Sequence, residues 1–142
     1  RSFWDVMDST TGPVIASHSN AWSLCPCARN LKDDQIKAIA ERGGVIGMNT
    51  WKGFIMEDME AATEKDLARH ARYIADLVGP EYVACGFDFC NYFSEEDPTP
   101  GIRSAADAQN FLQALREVGF SEKEVEMIAW DNALRVIKKV LG

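Results

Sequence analysis

The sequence predicts an α/β fold built on parallel strands, and three observations predict it. Short continuous apolar runs recur at 14–17, 45–49 and 82–87, and each is followed by a helical pattern. Continuous runs, as opposed to alternating ones, mark strands buried on both faces, as parallel strands are. The runs begin some 31 and 37 residues apart, close to the ~30 residues of one strand–helix unit in a barrel.

Taken in order, 3–9 (FWDVMDS) reads as the end of a helix, broken by Gly12-Pro13. The first strand follows, then a loop over 18–32. From Asp33 to Arg42, Ile36, Ile39 and Ala40 share one helical face, and Gly43-Gly44 ends it. After the second strand comes a loop over 50–62, with Trp51 and Phe54. Thr63 to Asp66 has the spacing of a capping box, in which the end side chains satisfy free backbone N–H groups. The helix it opens stacks Leu67, His70, Ala71, Ile74, Leu77 and Val78, and Gly79-Pro80 stops it. Beyond the third strand, 88–103 reads as a long loop. Ser104–Asp107 and Ser121–Glu124 offer two further boxes, the first before the stripe Phe111, Leu112, Leu115, Val118. A last helix runs over about 132–141. Three such strands with helices on one side leave the other face and both edges without cover. Either five more strands lie upstream or the chain assembles with another; we favour the first.

A hydrophobic fraction of 46% with 26% charged residues over 142 positions is that of a globular domain. No apolar run reaches the roughly 18 residues of a membrane span. A net charge of −7 with dispersed basic residues disfavours nucleic acid. The chain lacks an initiator Met and opens on a helical pattern, so we expect a segment of a longer protein. Cys25, Cys27, Cys85 and Cys90 do not match common zinc spacings, and Cys85 reads as a small core residue.

In parallel α/β proteins chemistry gathers where strands end. His18 follows the first strand, Asn49 and Thr50 the second, and Asp88 ends the third. A neutral imidazole there suits a metal, and a facing carboxylate suits proton transfer. From position alone, His18 reads equally well as a ligand or as a backbone-bonded loop residue, and Asp88 equally well as a cap or a turn residue. Arg29, in the first loop, has the planar fork to clamp a carboxylate, although a solvated loop arginine is the stronger reading without more information. His70 lies on an apolar stripe and reads as a hydrogen-bonded core residue.

At these residues the sequence resembles the membrane (renal) dipeptidase family, peptidase M19, in its C-terminal half. The resemblance runs through Ser2-Phe3-Trp4-Asp5-Val6 and Gly12 to Ala21 (GPVIASHSNA), then Arg29-Asn30-Leu31 and 40–47 (AERGGVIG). It ends in Leu77-Val78-Gly79-Pro80, Gly86-Phe87-Asp88-Phe89 and 131–136 (DNALRV). It implies a single partial domain over 1–142, the last three strand–helix units of a (β/α)8 TIM barrel plus extra C-terminal helices. It further implies zinc-dependent hydrolysis of dipeptides at two zinc ions. His18 would bind one metal, Arg29 the substrate's C-terminal carboxylate, and Asp88 the substrate's amino end while carrying a proton. The family's H-x-D pair, bridging glutamate and a further histidine are not in these residues, so the segment alone would be inactive. Cys90-Asn91 stands where the family usually has Asp-Gly, and Cys27 where it often has His or another polar residue, which bears on substrate preference. Trp22, Trp51, Tyr92 and Phe93 are placed to line the pocket, although packing explains each singly. The competing expectation is a non-catalytic family member or α/β interaction module. Membrane attachment is not indicated by this segment, a homo-oligomer is compatible with it, and compartment is left open.

Overall fold

The computed structural model describes residues 2–89 and 99–142. Its centre is a parallel pair, β1 (Ile46–Met48) and β2 (Val83–Cys85), with Gly47 opposite Ala84. Around it lie α1 (Ser2–Ser9), α2 (Asp33–Glu41), α3 (Lys52–Ile55), α4 (Glu64–Val78), α5 (Ala108–Glu117), α6 (Glu122–Glu126) and α7 (Asn132–Leu141). The strands are parallel and buried, and helices follow each, as the apolar runs imply.

The first expected strand is corrected in an instructive way. Residues 14–17 make only one bridge to the sheet, Ala16 opposite Ile46. Ala16 N–H donates to Val45 O at 3.0 Å and Gly47 N–H to Ala16 O at 2.8 Å, as in a parallel ladder. A regular ladder would next use the N–H of residue 18, but Ser19 N–H donates to Gly47 O instead, at 2.8 Å. One extra residue has entered, which is a bulge at Ser17–His18. Bulges re-aim side chains, and this one falls on the candidate histidine.

The helices follow their local signals. Thr63 and Asp66 close the expected box at the start of α4, with Asp66 Oδ2 accepting from Thr63 N–H at 3.1 Å. Leu67, Ala71 and Ile74 are fully buried on that helix, each large side chain stabilising the fold by roughly 1.5–3 kcal/mol. They meet Ile36 and Ile39 of α2, Ile46 and Met48 of β1, and Phe111 and Leu115 of α5 in one core. The expected loop over 50–62 holds α3 and a 3₁₀ turn, Met59–Ala61. α6 and α7 join through a π-turn, Met127–Asp131, so they form one continuous rod.

β1 is buried throughout. Exposed apolar side chains include a stripe along α7 and its lead-in, Trp130, Leu134, Ile137 and Leu141, as well as Ile15 beside the bulge and Trp4 and Val6 on α1. No helix among the described residues is long and apolar enough to cross a membrane.

Candidate active site

The site forms where the strands end, and two glycines let it form. A side chain on Gly47 would sit 2.2 Å from the Ser17 carbonyl oxygen, and one on Gly86 2.1 Å from the same atom. The bulged segment therefore lies against both strands at a separation that only glycine allows. This close approach brings the residue after Ser17 over the end of β2.

His18, Arg29 and Asp88 meet there. Arg29 Nη2 donates to His18 Nε2 at 3.2 Å, and His18 Nε2 lies 3.9 Å from Asp88 Oδ2. A guanidinium can only donate, so Nε2 must accept, and the ring proton sits on Nδ1. Nδ1–H then donates to Ser17 Oγ at 2.8 Å. The imidazole is thus a single tautomer with its lone pair aimed into the mouth. Both His18 and Asp88 are partly open to solvent, with side chains 36% and 43% exposed.

Asp88 is held by its backbone as much as by its neighbours. Its φ is 58°, the left-handed region that Asp tolerates better than most residues. The turn aims its carboxylate back toward His18, and Asn49 Nδ2 donates to Oδ2 at 3.3 Å. Just before the turn, Phe87 is anchored edge-on against Phe111 at 5.5 Å.

Beneath these three residues lies a buried polar floor. Asn20, fully buried, accepts from Asn49 N–H at 3.0 Å and donates to Asn49 O at 3.0 Å and Phe54 O at 3.2 Å. Asn30 donates to Cys25 O at 2.9 Å and Phe54 O at 2.8 Å, while its oxygen accepts from Asn20 N–H at 3.2 Å. Asn49 Oδ1 accepts from Trp51 N–H at 2.7 Å. These short amides satisfy backbone groups that would otherwise be stranded in the core.

His70 belongs to the floor, as its apolar stripe implies. Its Nδ1 accepts from Ala21 N–H at 3.1 Å and its Nε2–H donates to Ile55 O at 2.8 Å. Burial holds its pKa below the ordinary 6.5, although the Ile55 carbonyl opposes that, so the ring is neutral.

Cys25 and Cys85 are packed into the fold. Cys25 is buried and its thiol faces Gly53 O at 3.5 Å, while burial pushes its pKa up. Burial pushes Cys85 up to about 12, so it stays a thiol at neutral pH. Trp22 and Trp51 are partly exposed, Trp22 under Lys32 and Trp51 tilted against Phe54. Tyr92, Phe93 and Cys90 lie outside the described residues. Asn20, Asn30 and the two close-approach glycines carry no chemistry of their own, and sequence reasoning assigned them no role. Their signal was present as polar or side-chain-free positions next to apolar strands.

Comparison with known proteins bears on the family and the fold of the chain. The family model of the membrane dipeptidases, peptidase family M19, matches residues 1–141. A Klebsiella pneumoniae protein described as "Uncharacterized protein in pqqA 5'region" is 34% identical over 99% of this chain and 51% of its own length. Dipeptidase aclJ of Aspergillus oryzae is 29% identical over 95% of this chain and 32% of its own length. A Rhodobacter sphaeroides metallopeptidase, solved with a phosphinate mimic of the dipeptide L-Ala-D-Ala, superposes with a TM-score of 0.84 at 27% identity, over 96% of this chain and 38% of that one. The chain thus spans about half the length, or less, of these relatives. With its strand ends, S-H-S segment and G-F-D-F turn all in place, the chain belongs to the membrane dipeptidase family, peptidase family M19.

Proposed function

We propose that this chain is the C-terminal part of a (β/α)8 barrel, and that it supplies one side of a metal-dependent dipeptidase site. The observation that carries the reading is the meeting of His18, Arg29 and Asp88 within hydrogen-bond and ion-pair range at the strand ends. The exposed apolar stripe on α7, and Ile15 at the sheet margin, support further barrel strands and helices packing there.

The donor set suits a metal in part. His18 presents one lone pair to the mouth, its other nitrogen is fixed by Ser17 Oγ, and a carboxylate stands beside it. Among the described residues no three His, Cys, Asp or Glu side chains cluster as a metal would need. His18 would therefore be one ligand, and the remaining ligands would come from outside these residues. Two zinc ions, the cofactor expected of the family, would supply an activated water and polarise the scissile carbonyl.

The chain's own residues do the rest. Arg29 binds the substrate's C-terminal carboxylate, for which its planar fork is matched. Asp88 holds the amino end and carries a proton between water and leaving nitrogen, within reach of the same mouth. Asn49 keeps that carboxylate oriented. The Rhodobacter relative binds a mimic of L-Ala-D-Ala, so a dipeptide of that kind is the first substrate to try. The test is hydrolysis of a dipeptide panel by the whole polypeptide that carries this chain. Chelator-sensitive cleavage, lost in His18→Ala and Asp88→Asn, is expected; unchanged cleavage in both variants would overturn the assignment.

A further inference from the structure

We propose that Cys25 and Cys27 form a redox modification site, in which the two thiols close to a disulfide across Pro26. Neither belongs to the group of His18, Arg29 and Asp88, and the pair is held by contacts of its own.

The backbone already holds the pair in a suitable shape. Cys27 N–H donates to Cys25 O at 2.9 Å, which makes a three-residue turn with Pro26 at its centre. Proline suits that place because its ring fixes φ at about −65° and the central residue needs no N–H. Two residues apart, α-carbons lie within about 7 Å even in extended chain, and such a turn draws them toward the ~5.5–6 Å usual in disulfides. Asn30 Nδ2 donates to the same Cys25 carbonyl at 2.9 Å, and Cys25 N–H donates to Ala21 O at 3.2 Å. The turn is thus pinned from both sides. It leaves the thiols side by side, with Cys27 the side-chain hydrogen-bond neighbour of Cys25. Cys27 O accepts from Asn30 N–H at 3.1 Å, so the same residue opens the turn that carries Arg29.

The two sulfurs differ in a way that orders the chemistry. Cys25 is 1% exposed, and burial first, then Cys27 and Glu57, push its pKa up. Cys27 is half-buried and borders a cleft of about 310 Å³ with Trp22, Asn30 and Lys32. The oxidant is a small disulfide, RSSR. Cys27 loses its proton to water and its thiolate attacks one sulfur of RSSR; that S–S bond breaks and RS⁻ leaves. Cys25 then gives up its proton and attacks the Cys27 sulfur of the mixed disulfide, releasing the second RS⁻. Both leaving groups take up a proton, so two protein thiols are oxidised while one disulfide is reduced to two thiols. Cys25 loses only its weak S–H contact with Gly53 O, 3.5 Å away.

The test uses the whole polypeptide that carries this chain, fully reduced and then exposed to 2-hydroxyethyl disulfide. Alkylation, digestion and mass spectrometry read the outcome. The peptide holding both residues should be lighter by two hydrogens and should resist alkylation until it is reduced. Cys25→Ser should stop one step earlier, with the hydroxyethyl adduct retained on Cys27. Cys85, whose pKa burial pushes up to about 12, should stay unreacted while the fold is intact. Three results overturn the inference: an adduct that persists on Cys27 in the unsubstituted protein, a bond from either residue to another cysteine, or both thiols still open to alkylation. Should Cys25→Ser fail to fold, the mass of the unsubstituted peptide decides alone.

Discussion

The two ends of the parallel strands use the same residue types for different ends. At the base, where the strands begin, the arginines are spent on backbone carbonyls. Arg42 reaches Met7 O at 2.6 Å and Thr10 O, and Arg135 reaches Gly43 O at 2.9 Å and Glu81 O at 2.8 Å. Asn132 bridges Pro80 O and Val83 O at 2.9 and 2.8 Å. At the mouth that stapling is left to short buried amides and to His70. The charged groups, Arg29 and Asp88, stand above the staples and face one histidine. Support and charged groups thus occupy separate layers at the mouth.

The comparison can be broken most severely at Asp88. Asp88→Asn keeps a residue that tolerates φ 58° and removes only the charge, so the fold should be unaffected. Turnover of a dipeptide by the whole polypeptide should fall by about 10²–10⁴, the usual worth of a general acid–base group. A loss of stability matching the loss of activity would place Asp88 with the supports instead.

Asn20→Ala attacks the floor. It strands Asn49 N–H and O in the core, and urea unfolding should show a loss of about 2–4 kcal/mol. His18 and Arg29 lean on the same loop, so their contact should loosen as well. A change below 1 kcal/mol would mean that the floor is not load-sharing.

His70 offers a pH test of the floor. Its folded pKa lies below the ordinary 6.5, so the unfolded chain binds the proton first as pH falls. Its contribution is therefore complete above about pH 6.5 and is lost on acidification toward the folded value, by at most ~1.4 kcal/mol per pH unit. His70→Gln should flatten that part of the stability profile; an unchanged slope would assign it to other groups.

The smallest effect is expected at the base. Arg135→Ala should cost about 1–2 kcal/mol in unfolding experiments and leave turnover as it was. A large fall in turnover with the fold intact would erase the distinction between the two ends.

How much of this was legible in the sequence depends on the range of the interactions. The boxes at Thr63, Ser104 and Ser121 were readable because each joins residues three apart. The core stripe of α4, His70 included, followed from helical spacing. Propensity does not reveal a bulge, so the sequence of 14–17 reads as a regular strand. A four-residue helix leaves too short a period to detect, so 50–62 reads as loop. The pocket-lining role expected of Tyr92 and Phe93 falls outside the described residues.

By itself the sequence determined the alternation of strands and helices, the helix ends, and which residues stand at strand ends. These depend on contacts a few positions apart, and composition encodes them directly. Only the tertiary structure decided that His18, Arg29 and Asp88 share one point, and which nitrogen of His18 carries the proton. That outcome needs a one-residue bulge, two glycines 39 positions apart clasping one carbonyl, and an arginine arriving over a loop. Such contacts join distant parts of the chain, and they take their geometry from packing instead of from any local preference.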